Sequence, residues 1–103
     1  LVVRDSRQST ENLTLLRQQI DQIDNELLEV LAKRMRVSRE IGQYKKEHRM
    51  PVVQANRYND VIRTRLKIGT DMEMGSEFLK TVLLAIHEES VRQQIEVLND
   101  RTR

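Results

Sequence analysis

The chain of 103 residues contains no cysteine and no tryptophan, a single proline and three glycines, and its aromatic residues are two tyrosines and one phenylalanine. The lack of cysteine excludes disulfides and thiolate-bound metals, and it favours a cytoplasmic protein. So few aromatic residues argue against base-stacking surfaces and against strand-rich cores. No apolar run approaches the length of a membrane span, and a net charge of +2 is too small to indicate a nucleic-acid partner.

The remaining composition favours a single domain of long helices. Hydrophobic residues make up 38% and charged residues 33% of the chain. The spacing of the apolar residues predicts three helices, running from about Thr10 or Asn12 to Arg49, from Arg57 to Ile68, and from Ser76 to Asp100. Gly69 is the predicted stop of the second helix and Ser76 the predicted N-cap of the third. We expect residues 1–10 to be a linker or the tail of a preceding domain, and residues 11–103 to form the helical domain.

The first predicted helix carries an apolar stripe that becomes cationic partway along. Its apolar members, spaced by three or four residues, are Leu13, Leu16, Ile20, Ile23, Leu27 and Leu31. The same steps continue to Arg34, Ser38, Ile41 and Lys45. Arg34 and Lys45 therefore lie on one face about 16 Å apart along the axis, where an unpaired buried charge would be costly. This pattern predicts a site for a small anion inside a helical core.

The length of the first predicted helix indicates a second chain. A helix of roughly 37 residues is about 55 Å long, whereas a compact domain of this size has a radius of gyration of about 13 Å. Either the helix breaks near Gly42 or a partner chain covers it. Because no proline interrupts the run, we predict the partner chain.

The third predicted helix shows the same change from apolar to polar. Its stripe begins with Leu79, Leu83 and Ile86 and continues with Ser90 and Gln94. Ser90 and Gln94 are one turn apart on the same face, so both can address the same ligand.

Several familiar chemistries do not fit the sequence. The run His87-Glu88-Glu89 resembles the start of a zinc-protease helix, but Val91 stands where the second histidine is needed. His48 and His87 are expected to be solvent-exposed. The three glycines are scattered and form no phosphate-binding loop. With no evident nucleophile, metal or cofactor, any reaction should depend on orientation and electrostatics.

The polar residues on the stripes of the first and third predicted helices belong to a larger pattern that resembles the all-helical class of chorismate mutases. The pattern comprises Leu16-Arg17, Ile20-Asp21, Ile23-Asp24, Leu27-Leu28, Leu31-Ala32-Lys33-Arg34, Ile41-Gly42, Lys45, Pro51-Val52, Arg57 and the run from Glu88 to Gln94. The resemblance implies an all-α fold in which three-helix protomers with a long first helix form an intertwined homodimer. It also implies a Claisen rearrangement of chorismate, a small dianion, to prephenate, without cofactor or metal.

The resemblance further implies a role for each polar position. Lys45 and Gln94 would donate hydrogen bonds to the ether oxygen of the substrate. Arg34 would bind a substrate carboxylate, and Arg17 would do so from the other protomer. Arg57 and Ser90 would complete the pocket. Arg17 and Arg34 are about 25 Å apart and rotated by about 100° on one helix, so a single straight helix cannot direct both at one small ligand.

Two positions depart from the family pattern and leave the substrate open. Gln54 and Tyr58 stand where well-known members carry an Asp and a Glu that contact the ring hydroxyl of the substrate. Both side chains still form hydrogen bonds. The alternatives are isochorismate-pyruvate lyase activity, or a regulatory domain that senses chorismate or prephenate for a fused or partner synthase domain. A nucleic-acid module is disfavoured because glutamates are interspersed among the basic residues of the first helix.

Overall fold

The computed structural model describes residues 6–100, which form three α-helices and no strand. These are α1 (Ser6–Glu47), α2 (Ala55–Asp71) and α3 (Ser76–Asn99). The predicted all-α class and the three helices are confirmed. Helix α1 begins at Ser6, earlier than predicted, so that part of the predicted linker at residues 1–10 is helical. Residues 1–5 and 101–103 lie outside the described range. Within that range, no helix is both long enough and apolar enough to cross a membrane.

Helices α1 and α2 are each followed, two residues after the last helical residue, by a residue other than glycine in the left-handed conformation. Arg49 has φ 53° and Glu73 has φ 66°. In each case the next residue donates a backbone hydrogen bond five residues back, from Met50 to the Lys45 carbonyl at 2.8 Å and from Met74 to the Gly69 carbonyl at 3.1 Å. This is the bonding pattern of the Schellman motif.

The predicted roles of Gly69 and Ser76 as helix boundaries are both wrong. Gly69 lies inside α2, where it is buried and where a Cβ atom would overlap the side-chain methyls of Leu79 on α3. Its small size serves helix packing and not helix termination. The N-cap of α3 is Gly75, whose carbonyl accepts the bond from the Leu79 N–H at 3.0 Å, so Ser76 is the first residue of the helix.

The chain divides into an N-terminal unit that ends at Arg34 and a C-terminal unit that begins at Met35. The described part of the N-terminal unit is helix α1 alone. Its predicted apolar stripe is therefore exposed, with Leu13, Leu16, Ile20, Ile23 and Leu27 between 45% and 57% accessible. A single helix has no other element of its own unit against which to bury such a stripe.

The C-terminal unit contains the end of α1 together with α2 and α3. Of the residues whose burial is described (9–100), Leu79 is the only buried large hydrophobic side chain. The predicted inward residues of α2 and α3 are half-buried: Val61, Ile62, Leu66, Leu83 and Ile86. Three polar side chains are more deeply placed, with Ser38 3%, Ser90 8% and Gln94 7% exposed. Polar groups are buried only at a cost unless they are hydrogen-bonded, so this concentration marks the candidate site.

Candidate active site

Lys45 on α1 and Gln94 on α3 are in contact within the C-terminal unit. The Lys45 ammonium, in the last turn of α1, donates to the Gln94 side-chain oxygen at 3.0 Å and to the backbone carbonyl of Val52 at 2.7 Å. An ammonium only donates hydrogen bonds, so the amide of Gln94 must turn its oxygen towards Lys45. The NH₂ group of that amide is thereby directed away from Lys45.

Partial burial changes the titration of Lys45. Desolvation lowers the pKa of the Lys45 ammonium from its ordinary value of 10.5, because removal of water disfavours the charged form. The two hydrogen bonds hold the ammonium in one position. The group is therefore a preorganised cationic donor that has already lost part of its hydration.

Ser90 lies one turn before Gln94 on α3, and its hydroxyl bonds to Ser38 on α1. The two oxygen atoms are 2.5 Å apart, and either can be the donor. Ser90 is therefore buried and hydrogen-bonded beside Gln94, on the face predicted from the sequence.

Helices α1 and α3 approach closely between these two hydrogen bonds. A Cβ atom on Gly42 would lie 2.9 Å from the Cα atom of Gln94. Side chains essentially never come so near to a backbone carbon, so only glycine fits at this position. We use the term α1–α3 seam for five residues: Ser38, Gly42 and Lys45 on α1, and Ser90 and Gln94 on α3.

Helix α2 begins three residues after Val52, whose carbonyl binds Lys45. The remaining predicted ligands of the C-terminal unit lie at its start. Gln54 is the N-cap of α2, with extended backbone and no side-chain capping bond. Arg57 is exposed in the first turn. The ring of Tyr58 packs on the ring of His87 from α3, with the centroids 4.3 Å apart and the planes tilted by 47°. The prediction that His87 is solvent-exposed is wrong, because this contact leaves it half-buried.

Arg17 and Arg34 both belong to the N-terminal unit, where both are exposed in the single chain. Their separation along α1 keeps the geometry expected from the sequence, about 25 Å and about 100° of rotation. The structure therefore brings together Lys45, Gln94 and Ser90, and it does not bring Arg17 to Arg34.

Three contributors to the site have no functional role in the sequence prediction. The Val52 carbonyl has no side-chain signal, since any residue offers a carbonyl. Ser38 and Gly42 have a weak signal, because both are small residues one turn apart: Ser38 lies on the stripe that leads to Lys45, and Gly42 directly follows its member Ile41. Within the described part of the chain, no group of three or more His, Asp or Glu side chains is placed to hold a metal ion.

The chemistry that these groups offer is hydrogen-bond donation and positive charge. Lys45 supplies an ammonium and Gln94 an amide NH₂, and neither is a nucleophile or a general base in this arrangement. Such a pair stabilises negative charge that develops on a ligand oxygen.

Comparison with known proteins agrees with this chemistry. The chain is 32% identical over 78 residues to the T-protein of Enterobacter agglomerans, an alignment that covers 76% of this chain and 21% of the relative. It is 30% identical over 88 residues to the 4-amino-4-deoxychorismate mutase of Streptomyces pristinaespiralis, covering 85% of this chain and 68% of the relative. It is 28% identical over 81 residues to the bifunctional chorismate mutase/prephenate dehydratase of Aquifex aeolicus (strain VF5), an alignment that covers 79% of this chain and 22% of the relative.

The chain thus spans only about a fifth of the T-protein and of the bifunctional enzyme, at 21% and 22% of their lengths. The profile of the family described as chorismate mutase type II matches residues 16–95, which is well over half of the chain. The protein therefore belongs to the type II chorismate mutase family.

Proposed function

We propose that this chain acts as a cytoplasmic homodimer that rearranges chorismate to prephenate. The observation that carries the proposal is the contact of the half-buried Lys45 ammonium with the buried Gln94 amide at 3.0 Å. Both residues lie within the matched residues 16–95. A cationic donor and a neutral donor side by side are suited to one developing oxyanion.

The reaction is intramolecular, so the protein needs to supply geometry and charge but no reacting group. The ether C–O bond breaks while a C–C bond forms in the same molecule, and negative charge grows on the ether oxygen. The third N–H of Lys45 and the NH₂ group of Gln94 would donate to that oxygen. Arg34 and the partner's Arg17 would hold the two substrate carboxylates, so that the molecule is kept in its compact reactive conformer.

The homodimer is supported by two features of the N-terminal unit. The apolar stripe on α1 from Leu13 to Leu27 is exposed in the single chain, and burial of such residues supplies about 25 cal/mol for each Å² of apolar surface. Arg17 and Arg34 also point in different directions on one helix. A second copy would cover the stripe and supply Arg17 to a site built around Lys45.

An absorbance assay of chorismate consumption, with the product identified by mass and by acid conversion to phenylpyruvate, tests this function. We expect loss of chorismate and formation of prephenate by the purified chain. A folded protein that leaves chorismate unchanged would contradict the proposal and leave the sensor role for a fused or partner synthase domain. Release of pyruvate from isochorismate would favour the lyase.

A second substrate to assay is 4-amino-4-deoxychorismate, because a relative named for its rearrangement shares 30% identity with this chain. Neither Gln54 nor Tyr58 carries a negative charge to bind the protonated amine of that compound. We therefore propose chorismate, whose hydroxyl is neutral, as the preferred substrate, with the higher kcat/KM.

The activity should fall at alkaline pH because the ammonium form of Lys45 is required. Burial lowers the pKa of Lys45 below 10.5, so kcat/KM, which reports the free enzyme, should decline at a pH below that value. Bound dianion favours the ammonium, so the decline in kcat should occur at higher pH. In Lys45→Arg the remaining activity should show no such decline, since a guanidinium stays protonated. An unchanged alkaline decline in that variant would assign it to another group.

Gln54 and Tyr58 should respond differently when the family's carboxylates are restored. Tyr58→Glu should lower both kcat/KM and the melting temperature, because it removes the ring that packs on His87. Gln54→Asp should raise stability by about 0.5–1 kcal/mol, because aspartate is a far better N-cap, with little change in kcat/KM. Tyr58→Phe is the control that keeps the ring and removes only the hydroxyl. Higher kcat/KM for chorismate in Tyr58→Glu would instead indicate a weakened hydroxyl contact in the natural sequence.

A further inference from the structure

The α1–α3 seam contains three contacts that follow one another along both helices. Ser38 bonds to Ser90, the backbone of Gly42 lies against Gln94, and Lys45 bonds to the Gln94 amide. On α1 these residues are four and then three positions apart, so they lie on one face, and Ser90 and Gln94 lie on one face of α3. All three contacts are within the C-terminal unit.

The middle contact controls the distance between the two helices at Gln94. A Cβ atom on Gly42 would be 2.9 Å from the Gln94 Cα atom and 3.3 Å from both its carbonyl oxygen and its Cβ atom. Two of these three are backbone atoms, which cannot move away by a change of rotamer. A methyl group at position 42 would therefore push α3 outwards at the residue whose amide reaches Lys45.

The first contact controls the orientation of α3. The hydrogen bond between Ser38 and Ser90 is buried at both ends, so its loss would leave a hydroxyl without a partner. Together with the contact one turn later at Gly42, it fixes α3 at two points along the seam. Two fixed points define how the helix is turned and therefore where the Gln94 side chain points.

We propose that Ser38 and Gly42 are positioning residues of the active site, which hold the Gln94 amide against Lys45 through the spacing and orientation of α3. The kinetic part of this inference rests on the proposed function. Neither residue would touch the substrate, and both would act through Gln94 and Lys45.

The chain offers a matched control for ordinary packing. Gly69 on α2 also packs closely against α3, but there a Cβ atom would meet the side-chain methyls of Leu79. Those methyls can move by rotation of a flexible side chain. Gly69→Ala should therefore lower stability as Gly42→Ala does, without displacing Gln94 from Lys45.

The experiment compares wild type, Gly42→Ala and Gly69→Ala by the NMR titration of the Lys45 ε-methylene and by steady-state kinetics. In Gly42→Ala, water should enter between the helices and replace the amide oxygen, so the pKa of Lys45 should rise towards 10.5. The kcat should fall by about tenfold or more, with KM changed by less than about threefold, because a donor is displaced while the carboxylate contacts remain. Gly69→Ala should keep the wild-type pKa of Lys45 and a kcat within about twofold.

A folded Gly42→Ala protein with wild-type kcat and wild-type Lys45 titration would overturn the inference, and so would equal effects of the two alanines. If Gly42→Ala does not fold, Ser38→Ala, which adds no volume, is expected to change kcat and the Lys45 pKa in the same directions to a smaller extent. Unchanged values in Ser38→Ala would contradict the proposal. The Lys45 titration needs no substrate, so wild-type protein without mutase activity would refute the proposed function while the positioning role is still tested.

Discussion

Lys45→Ala is expected to lower kcat/KM for chorismate by a factor of about 100 or more. The variant removes the charged donor aimed at the ether oxygen, and loss of one such donor from a preorganised site costs on the order of 3 kcal/mol of transition-state stabilisation. The helical content should be retained, because the substitution also removes a charge that is partly desolvated in the folded protein. Steady-state kinetics and far-UV circular dichroism on the same preparation measure both quantities.

The neighbouring lysine provides the control for this prediction. The Lys46 ammonium donates to the carbonyls of Val97 at 3.3 Å and Asp100 at 2.7 Å, at the end of α3. Lys46→Ala should therefore cost about 1 kcal/mol of stability and leave kcat/KM within about twofold. Wild-type kcat/KM in Lys45→Ala would remove Lys45 from the mechanism, and equal losses in both variants would point to a general effect of charge.

The three helices were predictable because their apolar residues repeat with the period of a helix. The helix ends were less predictable, because glycine has more than one use. Gly69 reads as a helix stop, yet it provides space for Leu79, while Arg49 and Glu73 take the left-handed conformation that glycine adopts more easily. Local sequence does not reveal whether a glycine ends a helix or leaves space for a neighbouring helix, since the second use depends on a residue that is distant in the chain.

The candidate site was predictable only where a side chain is unusual for its position. Lys45 and Gln94 stand out as polar residues on apolar stripes, and in the structure they are in contact. The Val52 carbonyl that also binds Lys45 has no sequence signal. The hydrogen bond between Ser38 and Ser90 was also hidden, because a small uncharged residue such as Ser38 is not unusual on a packed helix face.

The stripe on the first part of α1 marks a further limit of sequence reasoning. Periodicity predicts that Leu16 and Ile20 are covered, but it does not state by what. In the single chain both are more than half exposed. An experiment on mixed chains therefore has to answer which surface packs against this stripe.

Mixing two inactive variants should restore activity if each site takes Arg17 from one chain and Arg34, Lys45 and Gln94 from the other. Arg17→Ala and Lys45→Ala homodimers should each be nearly inactive, because every site then lacks one essential charge. In a heterodimer of the two, one site carries both lesions and the other carries neither. Each heterodimer should therefore have about half the activity of the wild-type dimer.

The measurement is steady-state activity after the two variants are unfolded together and refolded at equal concentration. Random pairing makes half of the dimers mixed, so the mixture should recover about a quarter of wild-type activity. Native mass spectrometry of differently tagged chains measures the mixed fraction independently. The control mixes Lys45→Ala with Gln94→Ala. Because each site takes both Lys45 and Gln94 from one chain, one site of the heterodimer lacks Lys45 and the other lacks Gln94. Activity should therefore stay near zero.

Recovery in the first mixture but not in the second would assign Arg17 to the partner chain's site. Heterodimers that form without recovering activity would mean that Arg17 acts in its own chain or has no catalytic role. A monomer in sedimentation at micromolar concentration would contradict the shared site directly. It would also leave the α1 stripe from Leu13 to Leu27 exposed to water, although burial of each such side chain is worth about 1.5–3 kcal/mol.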